Sequence, residues 1–255
     1  MPYANTQGVR IHYRVEGDGV PLVLQHGFSD SLESWYEMGY VEPLKHNYRL
    51  ILIDARGHGA SDKPHNPAAY TGQHQATDVV AVLETVALPT AHFFGYSMGG
   101  RIGFALAKDA PTHFTSFLIG GASPYGINPD IQRQFLRLLQ QGAAAFVGAW
   151  EQQGPVSPAL KARLLANDTE ALIALRMMMG QEEHPSLEDV LPTMTVPCLL
   201  LAGEQDWSYA DIKECSTHLP QGTLATLPGL NHYEAFRQAN VALPHITGFL
   251  AAVSP

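Results

Sequence analysis

The residues best equipped for chemistry lie in Gly95-Tyr96-Ser97-Met98-Gly99-Gly100. This Gly-x-Ser-x-Gly pattern follows an apolar run at 91–94 and leads into a helix-like segment at 101–110, giving strand, sharp turn, helix. In such a turn the serine takes a strained backbone conformation and its hydroxyl projects from the strand tip. Glycines on either side avoid clashes with the neighbouring strands and helix. Taken alone, the pattern also fits a glycine-rich turn with a capping serine. A serine hydroxyl attacks only when a base takes its proton, and that base needs an acid to hold its tautomer. Downstream, residues 196–203 read as a buried strand ending in Glu204-Gln205-Asp206, and residues 223–227 as a strand ending in Pro228-Gly229-Leu230-Asn231-His232. Serine, acid, histidine is the chain order associated with this elbow. Loops at one sheet edge would bring the three together.

Positioning them requires a sheet. Residues 9–15 alternate in polarity as a half-buried strand does. Residues 21–25, 48–53, 91–94 and 114–119 are continuous apolar runs, suited to strands covered on both faces. Between them, 77–87 and 102–110 carry apolar residues at helical spacing. Such alternation predicts an α/β fold, a mostly parallel sheet with helices on both faces. The alternation stops between about Tyr125 and Pro192, where 131–146 and 158–180 are rich in helix-forming Leu, Ala, Gln, Arg and Met. The expected organisation is a core at 1–124 and 193–255 carrying a helical cap at 125–192.

The 255 residues are 45% hydrophobic, enough for a substantial core. A net charge of −9 without a Lys/Arg-rich run argues against nucleic acid or anionic membrane as a partner. Two cysteines, Cys198 in a predicted strand and Cys215 in a predicted helix, suggest neither a disulfide framework nor a zinc site. No basic-then-apolar N-terminal leader and no membrane-length apolar run is visible, so the expectation is a soluble cytoplasmic protein. None of the 12 histidines shows metal-binding spacing, and no Gly-x-Gly-x-x-Gly or P-loop appears, so neither metal nor nucleotide cofactor is expected. These features do not address oligomeric state.

The chain resembles the α/β-hydrolase superfamily, in the branch with a helical cap inserted after the sixth strand. The resemblance spans nearly the whole length. It rests on Gln25-His26-Gly27-Phe28, on Asp54-Ala55-Arg56-Gly57-His58-Gly59-Ala60-Ser61, on the elbow, and on the acid and histidine loops. It implies an eight-stranded, mostly parallel sheet with Ser97, Asp206 and His232 as a catalytic triad above it. Ser97 Oγ would attack an acyl carbon, His232 would shuttle the proton, and Asp206 would hold the imidazole. Glu204 and Asp211 compete for the acid's role. The resemblance favours Asp206, three residues after the strand-ending Gly203; the same residue could instead cap the helix starting near Tyr209. The backbone N–H of Met98, at a helix N-terminus, would stabilise the oxyanion. The resemblance places the second donor at Phe28. His26 reads as structural, and Arg56 and His58 as shaping the site rather than reacting.

Candidates for an apolar substrate pocket are Trp35, Tyr96, Tyr125, Phe146, Trp150, Met177, Met178 and Trp207, with about half expected to fill core instead. Tyr96 and Trp207 stand out because each adjoins a triad residue. Small esters, lactones or aryl esters would suit such a pocket. Within the superfamily, epoxide hydrolases and haloalkane dehalogenases carry aspartate at the elbow, and cofactor-free dioxygenases a histidine-rich elbow. Carbon–carbon bond hydrolases typically place asparagine where Tyr96 stands, whereas cofactor-free haloperoxidases (perhydrolases) place an aromatic there. Ester or lactone hydrolysis through an acyl-enzyme is the leading expectation. Perhydrolase and carbon–carbon hydrolase chemistry share the triad, and a non-catalytic ligand receptor is the alternative of another class.

Overall fold

The computed structural model describes residues 2–152, 154–180 and 187–254. The apolar runs form strands β1 (Tyr3–Thr6), β2 (Val9–Glu16), β3 (Val20–Gln25), β4 (Tyr48–Ile53), β5 (Ala91–Tyr96), β6 (Phe114–Gly120), β7 (Cys198–Gly203) and β8 (Gly222–Leu227). They make one eight-stranded sheet in the order β1-β2-β4-β3-β5-β6-β7-β8. β2 pairs antiparallel with β1 and with β4. Every pairing from β4 to β8 is parallel, so β3, β5, β7 and β8 all end at the same edge. β1 has no counterpart among the strands expected from the sequence. It joins β2 through a two-residue turn at Gln7-Gly8, both with positive φ (50° and 80°), the geometry of a tight hairpin.

Helices α1 (Glu33–Glu37), α2 (Val41–Leu44), α3 (Gly72–Thr85) and α4 (Met98–Asp109) belong to the N-terminal half. Helices α5 (Pro129–Gln140), α6 (Ala143–Glu151), α7 (Pro158–Leu165) and α8 (Thr169–Met179) lie between β6 and β7; α9 (Tyr209–His218), α10 (His232–Arg237) and α11 (Ala239–Val253) complete the chain. Alternate strand residues feed two cores, as the two-residue strand period requires. Val23, Ile51, Phe93, Phe117 and Leu200 pack with α3, α4 and α9 on one face. Leu22, Leu24, Leu50, Phe94 and Leu118 pack with α1, α2 and α11 on the other.

The insertion between β6 and β7 has its own small core of Leu139, Phe146, Val147, Leu160, Leu164 and Leu172. Each of the two helix-favouring segments, 131–146 and 158–180, is divided between two helices. Gly142, at φ 96°, separates α5 from α6. The Asp168 side chain accepts from Ala171 N (3.0 Å) and starts α8 afresh. The insertion is tied to the sheet domain by Arg163, which pairs with Asp30 (3.0 Å) and Glu37, and by Asn167 Nδ2 donating to Ser29 O (2.7 Å). Cys198 and Cys215 are buried free thiols. Among the described residues no helix is long and apolar enough to cross a membrane.

Candidate active site

β5 ends at Tyr96, and Ser97 follows at φ 56°, ψ −114°, before α4 starts at Met98. A non-glycine residue at positive φ is held there by its surroundings. Ser97 N donates to Gly120 O at 2.7 Å. A Cβ on Gly95 would lie 2.2 Å from Gly99 O, and one on Gly99 2.1 Å from Gln25 O. Backbone therefore meets backbone on both sides of the serine, and the elbow closes only around glycine.

His232 is the first residue of α10. Asn231 accepts from the N–H groups of Tyr233 and Glu234 (both 3.0 Å), while Glu234 Oε2 accepts from Asn231 N (3.0 Å). This capping box fixes the turn that presents the imidazole. His232 Nε2 stands 2.9 Å from Ser97 Oγ, and Nδ1 stands 2.7 Å from Asp206 Oδ2. Asp206 Oδ1 accepts from Ser208 N (2.9 Å) and Ser208 Oγ (2.7 Å). Burial pushes the Asp206 carboxyl upward; the hydrogen bonds and charge of His232 and the Ser208 donors outweigh it and leave it below the usual carboxylate range. Of the competing acids, Glu204 is exposed and accepts from Gly229 N (3.0 Å), and Asp211 is exposed on α9. Asp206 is the acid that reaches His232.

The loop histidines are held in fixed roles. His26 Nε2 accepts from Ala55 N (3.0 Å), so its Nδ1 donates to Gly27 O (2.8 Å). His58 Nε2 accepts from Ser29 N (3.0 Å), and its Nδ1 donates to Arg56 O (3.1 Å). Burial, reinforced by His26, pushes His58 down to about 3 and keeps it neutral. Arg56 is clamped on Asp78 (2.6 and 2.5 Å). His26 and His58 stitch together the loops after β3 and β4 beside the serine, and Arg56 ties the second of these loops to α3. Among the described residues no group of three His, Cys, Asp or Glu side chains is placed to hold a metal.

A cavity of about 400 Å³ lies over Ser97 and His232, walled by the inserted helices. Phe28, Met98, Tyr96, Tyr125, Trp150 and Trp207 line it. Trp207 stacks on the His232 ring at 4.0 Å. Tyr96 does more than line: its hydroxyl donates to the His232 carbonyl oxygen (2.6 Å). Four pocket candidates are placed elsewhere. Trp35 is fully buried under the sheet against Tyr40, Phe94 and Phe236. Phe146 faces the core of the insertion, behind Phe28 and Phe135. Met177 is 48% exposed on the outer side of α8. Met178 packs on the sheet-domain core, and Met179 takes a place in the lining. Sequence reasoning passed over Phe135, Tyr233 and Phe236, and also Arg101, Arg176 and Arg237, which line the cavity too. Their types carry no mark of it, since α5, α8 and α10 each turn only one side inward.

Comparison with known proteins agrees with this architecture. Residues 20–210 match the model of the alpha/beta hydrolase fold family. A Bacillus subtilis (strain 168) protein named "Putative 2-succinyl-6-hydroxy-2,4-cyclohexadiene-1-carboxylate synthase" is 27% identical, covering 97% of each chain. The 3-oxoadipate enol-lactonase 2 of Acinetobacter baylyi is 28% identical over 93% of this chain and 90% of its own. The crystal structure of the enol-lactonase from Burkholderia xenovorans LB400 superimposes with a TM-score of 0.85 at 23% identity, covering 98% of this chain and all of the other, a likeness of fold. The chain belongs to the α/β-hydrolase family of enzymes.

Proposed function

We propose that the protein is a serine hydrolase that cleaves carboxylic esters or lactones through an acyl-enzyme. The observation that carries this is the continuous chain Ser97 Oγ, His232 Nε2, His232 Nδ1, Asp206 Oδ2, with links of 2.9 and 2.7 Å, beneath a small-molecule cavity. Ser97 Oγ attacks the acyl carbon as His232 takes its proton. The Met98 and Phe28 N–H groups receive the developing oxyanion. His232 then delivers the proton to the departing alcohol, which leaves Ser97 acylated. Water, deprotonated by the same imidazole, attacks the acyl-enzyme and releases the acid. In a lactone the departing alcohol stays tethered and the product is a hydroxy acid. The four inserted helices act as the cap that closes the cavity and selects the acyl group. The Acinetobacter relative's name, an enol-lactonase, supports a lactone or ester as the substrate class. The Bacillus relative is named as a synthase, so the assay must separate hydrolysis from other chemistry at the same residues.

The test is Ser97→Ala with 4-nitrophenyl butyrate and a small lactone. Turnover should fall by about three orders of magnitude or more. An organophosphonate should add once to the parent protein by intact mass, and not to the variant. Undiminished hydrolysis by Ser97→Ala refutes the proposal. Tight ligand binding without adduct or turnover points to a receptor.

A further inference from the structure

Among the described residues, two guanidinium groups in the cavity have no carboxylate paired with them. Arg101 lies one turn beyond Ser97 on α4, and its Nη1 donates to the carbonyl oxygens of Ser123 (3.0 Å) and Tyr125 (2.7 Å). Those neutral acceptors fix the side chain without offsetting its charge. Arg176, on α8, is 5% exposed, and its Nε and Nη2 have no hydrogen-bond partner among the described residues. Its guanidinium rests over the rings of Phe135 (4.5 Å) and Phe28 (5.3 Å). Burial lowers both arginines to about 10, with Arg101 adding to the effect at Arg176; both remain cationic at neutral pH.

Among the described residues, the acids that line the same cavity are Asp30, which is paired with Arg163 (3.0 Å), and Asp211, which is exposed on α9; Asp206, beneath it, is held by His232 and Ser208. Arg237 adds a third cation, over Trp150 (5.6 Å) and Tyr233 (5.9 Å). Burying an arginine with unmet donors is costly unless something completes it. The chemistry that completes it is a planar anion matching the guanidinium fork. The cavity walls beside these groups are aromatic, so the anion must sit on a small hydrocarbon body.

Resting on the hydrolytic reading above, we infer that the substrate carries a carboxylate apart from the acyl group attacked by Ser97, held by Arg176 with Arg101 beside it. The substrate class is then the monoester, or the carboxylate-bearing lactone, of a small dicarboxylic or hydroxy-dicarboxylic acid. Arg176 and Arg101 are the specificity-determining residues.

The experiment compares mono-4-nitrophenyl pimelate with its methyl-capped, uncharged counterpart. The parent protein should favour the free acid by about tenfold or more in kcat/KM, the range of a charged hydrogen bond. In Arg176→Met that ratio should fall about tenfold. Independently of turnover, pimelate binding to Ser97→Ala is measured by calorimetry; adding Arg176→Met should weaken it about tenfold. Equal or reversed preference in the parent protein, or pimelate binding indifferent to Arg176, overturns the inference. Tighter binding of inorganic phosphate than of pimelate does so as well. If Arg176→Met does not fold, the parent protein's acid-to-methyl ratio decides. Hydrolysis of the capped ester without preference retains the hydrolytic reading and rejects the carboxylate site. Arg176-dependent pimelate binding without hydrolysis of either ester does the reverse.

Discussion

Replacing Asp206 by asparagine changes one atom and should stop the enzyme through the tautomer of His232. Asp206 Oδ1 receives two donors, Ser208 N at 2.9 Å and Ser208 Oγ at 2.7 Å, and Oδ2 receives His232 Nδ1 at 2.7 Å. An asparagine must put its oxygen at one of these positions and its NH2 at the other. The Ser208 backbone N–H can only donate, so the oxygen stays on that side and the NH2 faces His232. The imidazole must then accept at Nδ1 and carry its proton on Nε2, the atom 2.9 Å from Ser97 Oγ. Such a base cannot take the serine's proton. The loss in kcat should be about 10⁴, equivalent to about 5.4 kcal/mol at 1.36 kcal/mol per decade. Stability should respond differently. The folded carboxyl lies below its unfolded value of about 3.9, so its contribution is present above that pH and lost as pH falls through the folded value. Melting curves from neutral to acid pH should show any gap between the parent protein and Asp206→Asn closing on acidification. Glu204→Gln, at an exposed acid of the same loop, is the control. The deciding measurement is steady-state kinetics on 4-nitrophenyl butyrate: Asp206→Asn retaining more than about a tenth of kcat, while correctly folded, refutes the tautomer mechanism.

Tyr96→Phe deletes the hydroxyl that donates to the His232 carbonyl at 2.6 Å while keeping the ring packed on Phe236. It should cost about 1–2 kcal/mol, seen as a Tm lowered by roughly 2–8 °C. kcat should fall more than KM changes, because the loop carrying the base loosens; an unchanged Tm and kcat would show that the bond does not position His232. Gly99→Ala drives a Cβ to 2.1 Å from Gln25 O and 2.8 Å from Gln25 C. Neither backbone can yield cheaply, so about 3 kcal/mol of stability or more should be lost. Recovery of soluble protein with a parent-like Tm counts against that crowding.

The parallel strands were legible because a strand covered on both faces is a continuous apolar run, and β3 to β7 are such runs. β1 was not: Tyr3–Thr6 is four residues long and half polar, and only its pairing across Gln7-Gly8 makes it a strand. The convergence of three strand ends was legible from the order of Ser97, Asp206 and His232. The device that aims His232 was also legible in principle, since Asn231 and Glu234 stand at capping-box spacing. The cavity wall was the least legible part. Aromatic identity records a preference for burial, not which interior a side chain enters: Trp35 went under the sheet and Phe146 into the insertion's own core. Arg176 shows the reverse failure. A charged residue on a helix ordinarily faces water, and only its tertiary neighbours reveal that this one does not.

The elements of the site depend on one another in a way that explains how strand ends from distant parts of the chain hold atomic tolerances. Tyr96, the last residue of β5, precedes Ser97, the proposed nucleophile, and through its hydroxyl grips His232, the first residue of α10 and the proposed base. A shift of β5 would therefore carry Ser97 and His232 together and leave their 2.9 Å link intact. His232 in turn is fixed to the loop after β7 through Asp206, and that loop is tied to the loop after β8 by Glu204 N donating to Leu227 O and Gln205 N to Leu230 O (both 2.9 Å). Registration is thus enforced pairwise, strand end to strand end, by bonds that do not involve the substrate. The inserted helices take no part in these bonds, so they can change what is bound without disturbing the Ser97–His232–Asp206 arrangement.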